Sequence, residues 1–444
     1  MNQNDNFSPN MNVNNNFIKL YREYAMNSSD QSSNTVIISI SSNYKTTKTT
    51  AMLLQNGSVI TWGNELYDGL VSPEIAALRD IVNLSASWLS FAALRANHSV
   101  VSWGEPYTGG QIPSDIAKLQ DIVSLSATSY AFAALRANRS VVAWGNSNNG
   151  GQIPSDIAKL QDIVSLSATS SAFAALRANR SVVAWGNPDN GGQIPSDIAK
   201  LQDIVSLSAT SSTFAALRAD HSVVTWSKDQ GAQIPSIIAQ LDDITSLSTI
   251  YGVGVFAALR ENRRVISWGD KSHGGLIPLK IAKLKDIVSL SATSSAFAAL
   301  RANRSVVAWG DPDNGGQIPS DIAKLQDIIR LSATNSAFAA LRSDRSVVTW
   351  GQLNSGGSLP PEFTQLSDIV SLSATNSAFA ALRVDGSVVA WGQPSEGGYV
   401  PPEIAKLKDI VSLNSSEIAF AALRANGQRV GWGGRDIKAH GEYD

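Results

Sequence analysis

Ten tryptophans recur along this chain, at Trp62, Trp103, Trp144, Trp185, Trp226, Trp268, Trp309, Trp350, Trp391 and Trp432. Eight of the nine spacings are 41 residues, and the one from Trp226 to Trp268 is 42. A fixed period of that length means one supersecondary unit copied and stacked, because so short a unit cannot bury its apolar face alone. The period therefore overrides the prior of about three domains that a chain of 444 residues would otherwise carry.

The unit itself is legible. Residues Phe132 to Gly145 read FAALRANRSVVAWG, two apolar runs joined by a polar turn and closed by Trp-Gly. In the stretch DIVSLSAT, Val164 and Leu166 alternate with Ser165 and Ser167, a period of two that predicts a strand. FAALR and SVVAWG predict two more strands, joined by a tight hairpin at ANRS. Each Trp-Gly leads to a variable turn, a Gly-Gly pair, Gln-Ile-Pro and a short helical pattern. Pro154 suits its first position, Asp156 its first turn and Lys159 its end, enough for one turn of helix. Small Ala and Ser beside Phe, Leu, Val and Trp supply the large-over-small packing that stacked sheets need. No strand has a strongly charged face, which predicts cover on both sides. The expected fold is all-β: a β-propeller built from ten 41-residue repeats of about three strands each. An open β-superhelix or two five-unit rings are the alternatives. The irregular stretch between Trp226 and Phe256, where Ser227 replaces the usual Gly, marks the midpoint as a place for a seam.

Residues 1–34 are rich in Asn and Ser and are expected to be a disordered tail, with Phe17 to Tyr21 its apolar patch. Residues 35–434 form the repeat domain and 435–444 a C-terminal tail. The first repeat begins near Val36 and carries about three extra residues around Tyr44 to Lys48, judged against the common period. The absence of cysteine excludes a disulfide framework and Cys-based zinc sites. No apolar run approaches the ~18 residues of a membrane helix. The N-terminus lacks the basic and apolar regions of a Sec signal, so the expectation is cytoplasmic residence or export by a non-Sec route. Lys and Arg total 35 against 37 Asp and Glu, a net charge of −2, which argues against a nucleic-acid partner for the chain as a whole.

Several pieces of the unit are familiar together. IVSLSAT with the following TSSAFAAL, the turns Asn56-Gly57-Ser58 and Asp385-Gly386-Ser387, VVAWG, and Gly-Gly-Gln-Ile-Pro at 150–154 resemble the repeat of the regulator of chromosome condensation family in its compact bacterial form. The resemblance runs from about residue 35 to 434 and implies a β-propeller. Well-known members of that family have seven longer, four-stranded blades, so the blade count is where this chain departs. The resemblance also implies an alternative function, guanine-nucleotide exchange on a small GTPase. Exchange there depends on a wedge inserted in a blade, for which the constant period leaves no room.

Candidate functional residues fall into three sets. An Arg follows FAAL in nine copies and an Asp opens the preceding strand in the same nine. The first repeat lacks both, with Leu54 and Val36 in their places. Joint loss predicts structural ion pairs within a repeat, such as Asp121 with Arg136 and Asp162 with Arg177. The alternative is a ligand-binding ring of arginines, although a partly buried Arg normally needs its carboxylate. The second set is the hairpin tip, which is Gly57, Gly386 and Gly427 in three copies and His98, Arg139, Arg180, His221, Arg263, Arg304 and Arg345 in the others. Such a turn wants φ > 0, so each basic residue costs about 1 kcal/mol relative to glycine. Seven of them at one position would make a positive arc on one face. That arc is either a solvated turn copied by duplication or an attractor for an acidic partner, a lipid head group or a glycan. The third set is the variable turns after Trp-Gly, with Tyr107, Lys228 and His273, where a uniform scaffold places its differences.

Other signals are weak. The run from Asp311 to Gly316 partly imitates a calcium loop but lacks the later carboxylate. The four histidines, His98, His221, His273 and His440, have no metal-like spacing, and there is no nucleophile elbow or phosphate-binding glycine loop. Trp88, outside the ladder, is either a surface anchor or packs against the odd first repeat. The expectation is a non-enzymatic scaffold without cofactor, metal or membrane span, engaging a protein partner of acidic character through loops on one rim. A glycan-binding lectin is the further alternative.

Overall fold

Each copy of the repeat folds into one antiparallel sheet whose strands keep their chain order. The computed structural model describes residues 40–442 apart from 43–48, 64–70, 229–232, 251 and 253. The N-terminal tail, the start of the first repeat at Val36 and the Tyr44 to Lys48 insertion lie outside the described residues. The sheets are numbered here as blades 1 to 10 in chain order.

Blade 4 shows the plan. Its inner strand is Ile163–Ala168, its middle strand Ala172–Arg177 and its outer strand Val182–Gly186. Phe173 stands opposite Trp185 with the two rings stacked at 5.3 Å, while Ala174 stands opposite Ala184. Alternation along the middle strand therefore produces a large face and a small face. The large face of blade 4, with Ile163, Phe173 and Trp185, packs on Ala131, Ala133 and Val141 of blade 3. The small face of blade 4, with Ala172, Ala174 and Val182, receives Phe214 and Trp226 of blade 5. The interface is head-to-tail, so every blade both covers a neighbour and is covered, as the absence of a charged face implied.

The connectors are single turns. In the one before blade 3, Pro113 precedes the helix Ser114–Ala117 and accepts from Ala117 N at 2.9 Å, one position earlier than the expected first helical residue. In the next, Ala158 N donates to Pro154 O at 2.9 Å and Ile157 is buried between blades 3 and 4.

A head-to-tail interface makes a ring when its rotation closes, and here it does. Ile40, Met52 and Trp62 of blade 1 share a core with Ala419, Ala421 and Leu423 of blade 10. Trp62 Nε1 donates to Gly433 O at 2.8 Å, and the hydroxyls of Ser42 and Ser416 are 2.6 Å apart. The protein is a closed ten-bladed propeller, not a superhelix or a pair of five-unit rings. The seam does not lie at the midpoint either, because Ala215 and Val223 of blade 5 pack with Ile244, Phe256 and Trp268 of blade 6. The seam is where the chain's ends meet. There the segment expected as a C-terminal tail adds a fourth strand, Asp436–Gly441, to the edge of Arg429–Gly433. The link is a two-residue turn, Gly434 at φ 70° and Arg435 at φ 67°, the pair of left-handed residues that suits a hairpin.

The inner strands lie side by side around the axis, each against the inner strands of both neighbours. Their alternation is not the simple one expected. Ile163 pairs with Arg177 but Ser165 pairs with Leu176, so Val164 is an extra, bulged residue and stands 48% exposed. The period-two reading placed Val164 and Leu166 on one face; the bulge separates them.

Candidate functional site

The hairpin between middle and outer strands is built from local hydrogen bonds. In blade 3, Arg139 N donates to Arg136 O at 2.8 Å and Arg136 N to Ser140 O at 2.9 Å. Asn138 Oδ1 accepts from the backbone N and the hydroxyl of Ser140 at 3.0 and 2.7 Å, closing an Asx turn. Arg139 is left-handed at φ 61°, and its six counterparts from His98 to Arg345 lie between 58° and 65°. That conformation has a structural purpose. It aims the tip carbonyl at the next blade, where Ile163 N donates to Arg139 O at 3.0 Å. Glycine does the same in other blades, since Ile81 N donates to Gly57 O and Ile410 N to Gly386 O, both at 3.0 Å.

Closure of the ring sets the pattern. Blades 9, 10 and 1, which carry glycine, are adjacent, so the basic tips of blades 2 to 8 form one unbroken run. All seven side chains are exposed. His98 and His221 rest Nδ1 on the carbonyls of Ile122 and Ile244 at 3.0 and 3.3 Å, and His221 is 4.0 Å from Glu261. Arg139, Arg180, Arg263, Arg304 and Arg345 make no ion pair among the described residues.

The same rim holds the arginines of the middle strands, and these are committed elsewhere. Arg177 Nε reaches the two oxygens of Asp162 at 3.0 and 3.1 Å and Nη2 reaches Oδ2 at 2.9 Å. Arg136 holds Asp121 in the same fork. All nine pairs recur, from Asp80 with Arg95 to Asp409 with Arg424. Hydrogen bonds donated to the carboxylates of Asp203, Asp327 and Asp368 push Arg218, Arg342 and Arg383 above the ordinary guanidinium range. These arginines are oriented and neutralised by their partners, which leaves no free guanidinium ring there.

Tyr107, Lys228 and His273 stand on the opposite rim, in turns that follow the outer strands, so the sequence-derived residues do not converge on one surface. Lys228 pairs with Asp189 at 2.7 Å, and Asp229 and Gln230 lie outside the described residues. His273 Nδ1 is 3.0 Å from Asp270, whose carboxyl is held down to about 2 by hydrogen bonds from Ser272 and His273. Asp311 caps its own turn, accepting from Asp313 N at 3.0 Å and Asn314 Nδ2 at 2.7 Å, so the first carboxylate of the calcium-like run is engaged internally. The Gly-Gly pair is structural: a Cβ on Gly109 would fall 2.6 Å from Phe132 Cδ2, and Trp144 Nε1 donates to Gly109 O at 3.0 Å.

Trp88 packs across the blade 2–3 boundary, edge-on to Tyr130 at 4.7 Å, and Tyr130 meets Tyr107 at 6.1 Å. This described ring partner belongs to the third repeat. Tyr130 went unnoticed in the sequence, although its counterpart in the next copy is Ser171. The turn below is tied to its neighbours by backbone bonds, Trp88 N to Ser129 O and Ser129 N to Ser170 O, each at 2.9 Å.

No family model and no curated protein matches the chain. Among solved structures it is similar to the ectodomain of the Physcomitrella patens receptor kinase CR4, at 18% identity over 64% of this chain and 76% of that one, with a TM-score of 0.38. It is also similar to Prp20p from Saccharomyces cerevisiae, at 16% identity over 75% of each chain and a TM-score of 0.34. The ten-bladed propeller rests on the chain's own strand pairing and closure.

Proposed function

We propose that this protein is a non-enzymatic binding scaffold that captures an acidic protein partner on its hairpin rim. One observation carries the reading. The tip position exists to aim a carbonyl at the next blade, and Gly57 and Gly386 do this without a side chain. Seven adjacent blades nevertheless place Arg or His there, at a left-handed φ that costs an L-residue about 1 kcal/mol or more. The fold does not require that choice; a cationic rim does. Adjacent sheets pack about 10 Å apart, comparable with the Debye length in physiological salt, so neighbouring tips act on a ligand together.

The test uses the native glycine as its control. Arg139, Arg180, Arg304 and Arg345 are replaced together by glycine, the residue of blades 1, 9 and 10. The variant is expected to melt at or above the parental temperature, because strain is removed. Its binding to a polyglutamate probe is expected to weaken at least tenfold and lose most of its salt dependence. Unchanged binding, or binding indifferent to salt in the parent, would remove the proposal.

A further inference from the structure

We propose that the partner's contact element is not merely acidic but amphipathic, and that each cationic tip works with an exposed aliphatic side chain of the following blade. The inference rests on the binding reading above and adds the second half of the site.

The juxtaposition follows from the hydrogen bond that defines the tip. Arg139 O accepts from Ile163 N, and the next residue is the bulged Val164. The same bond brings Arg180 beside Val205, Arg263 beside Val288 and Arg345 beside Val370. In each blade the bulge throws the side chain out of the sheet, leaving these positions between 40% and 53% exposed. Eight of the nine described copies of this position carry Val or Ile, and blade 6 has Thr245.

A β-branched residue suits a strand, but that does not account for the choice of valine. Threonine has the same shape and comparable strand preference and would hydrate better, and blade 6 accommodates it with Thr245 Oγ1 donating to Leu259 O at 3.0 Å. The tips beside these valines carry mostly Asn, Asp, Arg, His and small Ala or Ser. Because the inner strands lie side by side, the aliphatic groups succeed one another around the mouth of the ring, each beside the tip of the blade before it. Exposed aliphatic side chains interleaved with cationic tips make a mixed surface suited to a partner that presents both kinds of group. Its charge complement is a protein segment in which carboxylates flank aliphatic or aromatic side chains.

The probes are a 21-residue peptide with leucine along one helical face and glutamate elsewhere, its counterpart with serine for leucine, and vesicles of phosphatidylcholine with phosphatidylserine. The variant replaces Val123, Val164, Val205 and Val288 with threonine, as blade 6 already does. The parent is expected to bind the leucine peptide at least tenfold tighter than the serine peptide. The variant is expected to lose that advantage while its affinity for the serine peptide stays unchanged. Equal affinity of the parent for both peptides, or no effect of the threonines, overturns the inference and leaves the cationic arc standing. Serine-peptide binding that survives the four arginine-to-glycine changes overturns the arc instead. Tighter binding to the vesicles than to either peptide assigns the rim to a lipid surface and overturns the inference.

Discussion

The interface between blades 3 and 4 and the one between blades 10 and 1 solve the same problem with different chemistry. The first is dry and local: Phe173 and Trp185 stack over alanines of the neighbour, and Asp162 with Arg177 pins the rim. At the seam, Thr50 stands where the phenylalanine would be and Leu54 where the arginine would be. The lost ring is replaced from outside the blade, by His440 of the last strand stacked on Trp62 at 4.6 Å. The lost cation is replaced by Arg429, which donates to the carbonyls of Leu53 and Leu54 at 2.9 and 3.0 Å. Glu442 accepts from Gln55 N and Arg429 N at 3.3 and 3.0 Å. A regular interface is held mainly by shape, while the seam adds charged and polar side chains to its apolar core. Copying a unit yields the first kind; closing the chain required the second.

The largest expected effect separates the two by what happens after a core tryptophan is lost. Trp185→Ala should cost about 3–5 kcal/mol and leave the ring closed, because two intact neighbours still clamp blade 4. Trp62→Ala should cost a similar amount and also enlarge the particle in small-angle scattering, as the seam parts. An unchanged radius for Trp62→Ala would erase the distinction drawn here.

Next comes the interior ion pair. Asp162→Ala and Arg177→Ala should each cost about 1 kcal/mol in urea unfolding, screened because both side chains are about a quarter exposed. The double variant should cost less than the sum, whereas additive losses would mean that the pair contributes nothing as a pair. The tips give a smaller and oppositely signed result. Arg139→Gly should stabilise by about 0.5–1 kcal/mol, the left-handed penalty less the entropy of glycine. Gly57→Arg in the seam blade should destabilise, since a Cβ there would stand 2.3 Å from Arg79 O.

The smallest effect belongs to the seam alone. Burial holds His440 below its ordinary value of 6.5, against the pull of Asp436 3.3 Å away. The unfolded chain then takes up this proton before the native one does, so stability falls as the pH drops through 6.5 and is unaffected above it. Melting curves between pH 8 and 5 should show the decline, and His440→Phe should flatten it. A variant with the parental slope would place the titration elsewhere.

The blades were legible because one side chain, the tryptophan, repeats with its strand, and because FAALR and VVAWG cannot be anything but strands around an Asx turn. The positive φ at the tips was legible for the same reason, since glycine at three copies identifies the conformation of the other seven. A closed propeller was expected, but the contacts that close it were not legible. They join the least typical repeat to a segment that reads as a tail, where Gly433-Gly434 is the turn signal in the sequence. The bulge at Val164 was hidden because a strand with one extra residue still alternates in sequence; the shift exists only relative to its partner. The segregation of the tips from Tyr107, Lys228 and His273 likewise follows from strand direction, which the list of candidates ignored.

The bond that seven of the tryptophans make to the loop before them has a consequence for biosynthesis. Trp144 finds its acceptor, Gly109, 35 residues upstream, already made when the tryptophan leaves the ribosome. Seven blades can therefore be finished in order, each on a predecessor already in place, through contacts that are short in sequence. Trp62 is different: its acceptor, Gly433, lies 371 residues downstream. The first blade to be synthesised is the last to be completed, and until blade 10 is made its face with Ile40, Met52 and Trp62 is the uncovered end of a growing arc. A nascent chain of this protein is thus most in need of chaperone cover at its oldest part, not at its newest.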